Sequence, residues 1–199
     1  MNLPEPVAGA QRKKRAALFV TTLSSFLGPF MGSAVTVALP AIGERFAMTA
    51  VGLSWVSMAF LLSVGALVIT FGRIADLRGR KAMFVAGTIV YIVASAMASL
   101  AQNAWMLIAA RAIQGTGASM TVGTGAAILT SVFAAGERGR ALGINVAAVY
   151  SGLSLGPFVG GIITQHASWR FIFGMNVPLG LAIVWTAARM LEPDKGEAR

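Results

Sequence analysis

Gly72-Arg73-Ile74-Ala75-Asp76-Leu77-Arg78-Gly79-Arg80-Lys81 puts four cations and one carboxylate into ten residues, between apolar runs at 51 to 72 and 82 to 100. Each run is long enough to cross a hydrocarbon core, which takes about 20 mostly apolar residues. A charged decapeptide between two such runs reads as the hairpin joining two membrane helices. Working outward, further apolar stretches lie near 16 to 39, 105 to 131, 141 to 163 and 170 to 191, so the pattern predicts six spans with short connections. Composition agrees: 56% of the 199 residues are hydrophobic and 12% charged, against about 25% charged in an ordinary soluble domain. Mean hydropathy is +0.75. The first run exceeds the 7–15 residues of a signal-peptide core and is expected to stay in the mature protein.

The formal net charge is +9. Its placement matters more than its size, because Lys and Arg that flank membrane helices are retained in the cytoplasm. Arg12, Lys13, Lys14 and Arg15 precede the first run. Arg73, Arg78, Arg80 and Lys81 fall between the second and third, Arg138 and Arg140 between the fourth and fifth, and Arg189, Lys195 and Arg199 at the end. The opposite loops hold only Arg45 and Arg170, while Arg111 falls inside the fourth run. Both termini are therefore expected to be cytoplasmic in a multi-pass protein of the cell membrane. The charge reads as a topological signal, not as a nucleic-acid-binding face. With no Cys and the single His166, thiol chemistry and Cys- or His-clustered metal sites are excluded. No P-loop, dinucleotide fingerprint or metal-ligand spacing occurs, so neither an enzyme nor a cofactor is expected. The seven acids, Glu5, Glu44, Asp76, Glu137, Glu192, Asp194 and Glu197, all fall in loops, tails or at a span end.

A bare turn loop explains the cations of 72 to 81 but not Asp76, one turn past the second run. The carboxylate is expected to cap a helix N-terminus, held by nearby guanidinium groups. In the fifth run Gly152, Gly156 and Gly160 recur every four residues, which leaves a groove for a partner backbone. Pro157 removes a donor beside Gly156 and predicts a kink. Gly115, Ser119, Gly123 and Ala127 form a similar stripe in the fourth run, read as packing alone. Arg111 lies about 9 Å inside the outer end of that run. Gln114, three residues on, shares its face, so the two are expected to point into a cavity together, not outward.

These segments carry a resemblance. The decapeptide resembles the G-x-L-A-D-R-x-G-R-K signature of the major facilitator superfamily, keeping Gly72, Asp76, Gly79, Arg80 and Lys81. Arg111-Ala112-Ile113-Gln114-Gly115 is similar to the family's R-x-x-Q-G motif. Gly152 to Gly161, with Gly156, Pro157, Gly160 and Gly161, is similar to its antiporter motif. Val37 to Pro40 and the segment from Ser168 to Pro178 resemble parts of the fourteen-helix drug:proton antiporters. The resemblance covers about residues 30 to 180. It implies an all-α membrane fold of six helices, an inverted three-plus-three repeat that makes one half of such a carrier. It also implies that Asp76 latches the two halves and that Arg111 governs protonation of a neighbouring acid. That acid is expected near the outer part of the first span, where this sequence has Met31.

The organisation expected is a basic tail at 1–15, a six-helix bundle at 16–191 and a tail at 192–199. The favoured reading is the N-terminal half of a multidrug efflux antiporter, incomplete alone. A half-size carrier acting as a homodimer and a non-transporting scaffold are the alternatives. Expected partners are the lipid bilayer, small amphipathic substrates, and a second six-helix half or a second copy. The pentapeptides Gly28 to Gly32 (GPFMG) and Gly156 to Gly160 (GPFVG) fall at non-equivalent places in a three-plus-three repeat and read as coincidence.

Overall fold

The computed structural model describes residues 5–191, so the expected C-terminal tail at 192–199 lies outside the described residues, as do the first four. The chain runs α1 (Glu5–Phe46), α2 (Ala50–Arg78), α3 (Arg80–Ser99), α4 (Ala104–Val132), α5 (Ala135–His166), α6 (Arg170–Gly174) and α7 (Asn176–Met190). Among the described residues there is no strand.

Boundaries differ from the sequence pattern at both ends of the first span and within the sixth, and α2 and α5 extend six residues past it at their basic ends, to Arg78 and from Ala135. α1 does not begin near 16 but runs through the basic segment, and at 42 residues it is about 63 Å long, twice a bilayer core. Hydropathy marks only the part that suits lipid, whereas charged residues such as Lys and Arg extend a helix into water at little cost. α1 also continues past Pro40, since each Pro forfeits one helix bond that neighbouring groups offset in a packed membrane helix. The sixth span is two helices that break at Met175. Pro178 has no N–H to give Gly174, and the Asn176 side-chain amide donates to the Ile172 carbonyl at 2.9 Å, a bond that competes with the helix ladder.

Five of the spans are long and apolar enough to cross a membrane. α4 is the exception, with Arg111, Gln114 and many small polar residues. The packing explains why: α4 touches α1, α2, α3 and α5, and most of its surface faces protein instead of lipid. α2 and α5 bury least. Trp55 and Trp105 stand exposed at the end away from the basic loops and Trp185 near the other, as expected of residues at the two membrane interfaces.

Pairing follows the small residues. A Cβ on Gly152, Gly156 or Gly160 would meet α1 at the Phe26 carbonyl (2.5 Å), the Phe30 carbonyl (2.6 Å) and the Ala34 Cα (2.8 Å), so α1 and α5 run parallel in backbone contact. On Gly115 or Gly123 it would meet the Phe60 carbonyl (2.4 Å) or the Val68 carbonyl (3.1 Å) of α2. Exchanging α1 with α4 and α2 with α5 carries one pair onto the other, as an inverted repeat requires. The glycines of the two alike pentapeptides do different things: Gly156 and Gly160 touch α1, whereas Gly28 and Gly32 have nothing within 4 Å of a Cβ position, so no shared packing need explains the likeness. Gly161, grouped with this ridge by motif, is no part of it, its nearest neighbour being Val37 Cγ1 at 3.8 Å.

At the basic end Lys14 Nζ donates to Glu137 Oε2 at 2.5 Å and ties α1 to α5. That hydrogen bond is the main reason the Glu137 carboxyl sits below the usual carboxylate range. A depressed folded value means that the tie contributes above the ordinary Glu pKa of about 4.3 and is lost as pH falls through the folded value. Melting of the wild type and of Glu137→Gln in detergent should therefore differ near neutral pH and converge on acidification, by a small amount because the pair is exposed. A gap that widened in acid would contradict the assignment.

Candidate functional site

The decapeptide at 72 to 81 divides into separate tasks. Gly72 belongs to the α2–α4 crossing, where a Cβ on Gly123 would lie 3.2 Å from its nitrogen. Gly79 is the whole corner between α2 and α3, at φ 103°, a conformation that L side chains rarely adopt. Asp76 does not cap a helix: it lies in the last turn of α2, and the N-cap of α3 is Gly79. Its carboxylate instead accepts from Arg80 Nε at 3.0 Å in an exposed i,i+4 pair. Lys81 donates to the Ala188 carbonyl at 2.9 Å and to the Leu191 carbonyl at 2.5 Å, closing the negative end of α7. Sequence spacing shows no sign of that contact, which spans more than a hundred residues.

Arg111 and Gln114 come together as expected, but they point into the bundle interior, not at a cavity wall. Arg111 is 1% exposed. Its Nε donates to the Val56 carbonyl of α2 at 3.0 Å, its Nη1 to Gln114 Oε1 at 2.5 Å, and its guanidinium lies 4.3 Å from the Phe60 ring centroid. Gln114 Nε2 passes the chain on to Ser95 Oγ of α3 at 2.7 Å, which donates to the Tyr91 carbonyl at 2.8 Å. The relay binds α2, α3 and α4. Among the described residues no carboxylate pairs with Arg111.

Met31, at the position where the resemblance places an acid, is fully buried. Asn176 Nδ2 approaches its sulfur at 2.7 Å, while Asn176 Oδ1 is buried with no hydrogen-bond partner among the described residues. An amide donor therefore faces the side chain at 31, although no sequence spacing links residues 145 apart.

The cavity lies elsewhere. About 400 Å³ opens between α1, α3, α4, α5 and α7, in the half of the bundle nearer the basic loops. Thr21, Ser24 and Ser25 of α1, Thr88 and Tyr91 of α3, Thr121 of α4 and Asn145 of α5 supply its polar groups, and Leu27, Phe84 and Ile183 apolar wall. Its lining carries no Asp, Glu, Lys, Arg or His. Gly28 and Gly125 line it with open space where a Cβ would stand, so here glycine makes room instead of contact. No motif marks these residues; the signal in the sequence is the neutral polar side chains that recur within four of the apolar runs. The Tyr91 hydroxyl is buried without a partner among the described residues.

Residues 21–199 match the family model described as Major Facilitator Superfamily. The chain is 32% identical over 180 residues to the riboflavin transporter RibZ of Clostridioides difficile (strain 630), covering 90% of this chain and 40% of that protein. It is 36% identical to the cephamycin export protein CmcT of Amycolatopsis lactamdurans, covering 88% and 36% respectively. To the methylenomycin A resistance protein of Bacillus subtilis (strain 168) it is 32% identical, covering 92% and 40%. The chain thus spans two fifths or less of these relatives' lengths.

Proposed function

This chain belongs to the Major Facilitator Superfamily, and from that membership we propose that it forms the N-terminal six-helix bundle of an efflux transporter for small amphipathic molecules. The observation that carries this reading is the cavity of about 400 Å³ with neutral polar groups and apolar walls, which suits a molecule with both kinds of surface. Transport by alternating access needs a second bundle to rock against this one around a shared site. The least buried helices, α2 and α5, are the faces available to it. Residues 16–191 are the transporting bundle, and Asp76 with Arg80, exposed at the corner, is the latch that the second bundle engages. The protein is multi-pass, and the proposal places it in the plasma membrane with both termini cytoplasmic. Relatives named as export and resistance proteins support the direction of transport.

Cells expressing the chain together with the part of the methylenomycin A resistance protein that lies beyond the matched region, as two polypeptides, should expel a fluorescent amphiphile faster than cells with either alone. Equal efflux from the chain alone would replace the second half by a second copy. Efflux from neither, with both polypeptides inserted, would favour the non-transporting scaffold.

Orientation has its own test in a chain without Cys. An impermeant thiol reagent should label Gln102→Cys but not Leu77→Cys in intact cells. The reverse pattern would overturn the assignment. Leu77 is 57% exposed and serves better than Gly79, where any side chain is strained.

A further inference from the structure

We infer that the bundle is built to select by charge, accepting anionic amphiphiles and rejecting cations of the same shape. The inference rests on the cavity reading above and names the substrate class that it takes. Two independent observations lead to it. The first is the sign of the interior: Arg111 is the one formal charge buried within the described spans, and no carboxylate neutralises it. It stands two helical turns along α4 from Ala118 on the cavity wall, a rise of about 10 Å. At an effective interior dielectric near 20, a unit charge at that distance changes the affinity of a singly charged ligand by about tenfold or more, in opposite directions for the two signs. The second is the Tyr91 hydroxyl, an O–H at the cavity with no acceptor of its own among the described residues. A ligand oxygen satisfies that donor, whereas a quaternary ammonium offers nothing to it. Thr21, Thr88 and Thr121 direct their hydroxyl protons to helix carbonyls, so among the buried hydroxyls of the lining Tyr91 is the one without a partner among the described residues, while Ser24, Ser25 and Asn145 are only partly buried.

The surface of a chain with net charge +9 also attracts anions, and the experiment must separate the two fields. In 0.5 M salt the Debye length is about 4 Å, so exposed charges are screened while Arg111 is not. The probes are 2-naphthalenesulfonate and 2-naphthyltrimethylammonium, which share a ring system and differ in the sign of the head. Equilibrium dialysis against the full chain in a nonionic detergent should give the sulfonate at least tenfold tighter binding. Arg111→Gln should bring the ratio below about threefold, and Arg111→Lys should keep most of it. Tyr91→Phe, which removes an unpartnered hydroxyl and so is expected to fold, should weaken the sulfonate several-fold and leave the ammonium unchanged. Equal or tighter binding of the ammonium by the wild type would overturn the charge selection and leave the cavity reading standing. So would a wild-type ratio that survives in both Arg111→Gln and Tyr91→Phe. Binding of neither probe would overturn the cavity reading and this inference with it.

Discussion

Gly156→Ala should lower the melting temperature of the chain in detergent by about 5–10 °C, while Gly161→Ala, five residues along the same motif, should leave it nearly unchanged. The added Cβ at 156 would lie 1.9 Å from Ser33 Oγ and 2.6 Å from the Phe30 carbonyl. Ser33 gains nothing by turning away, because its hydroxyl already donates to the Pro29 carbonyl at 3.0 Å, and the Phe30 oxygen is backbone. α1 must therefore retreat by nearly 1 Å along the contact. Overpacking of this kind costs about 1–3 kcal/mol, and separating two helices that touch through backbone forfeits dispersion contacts on both sides. We expect about 2–3 kcal/mol in total, at roughly 2–4 °C per kcal/mol for a chain of this size. Gly28→Ala is the second control, since nothing lies within 4 Å of its Cβ position. Melting of Gly156→Ala with the wild type would mean that α1 and α5 do not meet at this ridge.

The same residues divide what helix spacing carries from what only packing decides. Spacing by four exposed the ridge at 152, 156 and 160, because helix periodicity puts those positions on one face whatever packs there. It did not reveal the partner, which the Phe26-Phe30-Ala34 face of α1 supplies, nor that Gly161 points off the ridge. Local pattern likewise joined Arg111 to Gln114, one turn apart, but the continuation to Ser95 and Tyr91 depends on how α3 docks on α4. Asp76 reads as a cap in the sequence because hydropathy ends the second span near 72, whereas α2 continues to Arg78 through charged residues that the bilayer no longer constrains. The cavity was the least legible part. Thr21, Ser25 and Asn145 each look like ordinary polar interruptions of an apolar run, and only packing five helices together turns them towards one space.

Gln114→Leu should destabilise the bundle by about 3 kcal/mol, and adding Arg111→Met should restore most of that loss. Interhelical hydrogen bonds between neutral groups in membranes average only about 0.6 kcal/mol, which alone would make Gln114 dispensable. The guanidinium decides otherwise. Arg111 is buried with the Gln114 side-chain oxygen and the Val56 carbonyl as its named acceptors, and Leu at 114 strands part of a charge that has no carboxylate to meet. A hydrogen bond to a charged group contributes about 1.5–3 kcal/mol and a buried charge left short of an acceptor adds its desolvation cost, while replacing a buried charged arrangement by apolar residues of similar volume is often neutral or stabilising. The double variant leaves little unsatisfied, because Ser95 keeps the Tyr91 carbonyl. Thermal melting of the four proteins of the cycle in detergent measures the coupling directly. A double variant no more stable than Gln114→Leu would show that Gln114 acts by packing and not by holding the charge. If stability does return, the double variant also separates architecture from selection. It should insert and melt close to the wild type yet keep only the few-fold preference for the naphthalene sulfonate that the Tyr91 hydroxyl supplies, because the charge that gave the larger part is gone.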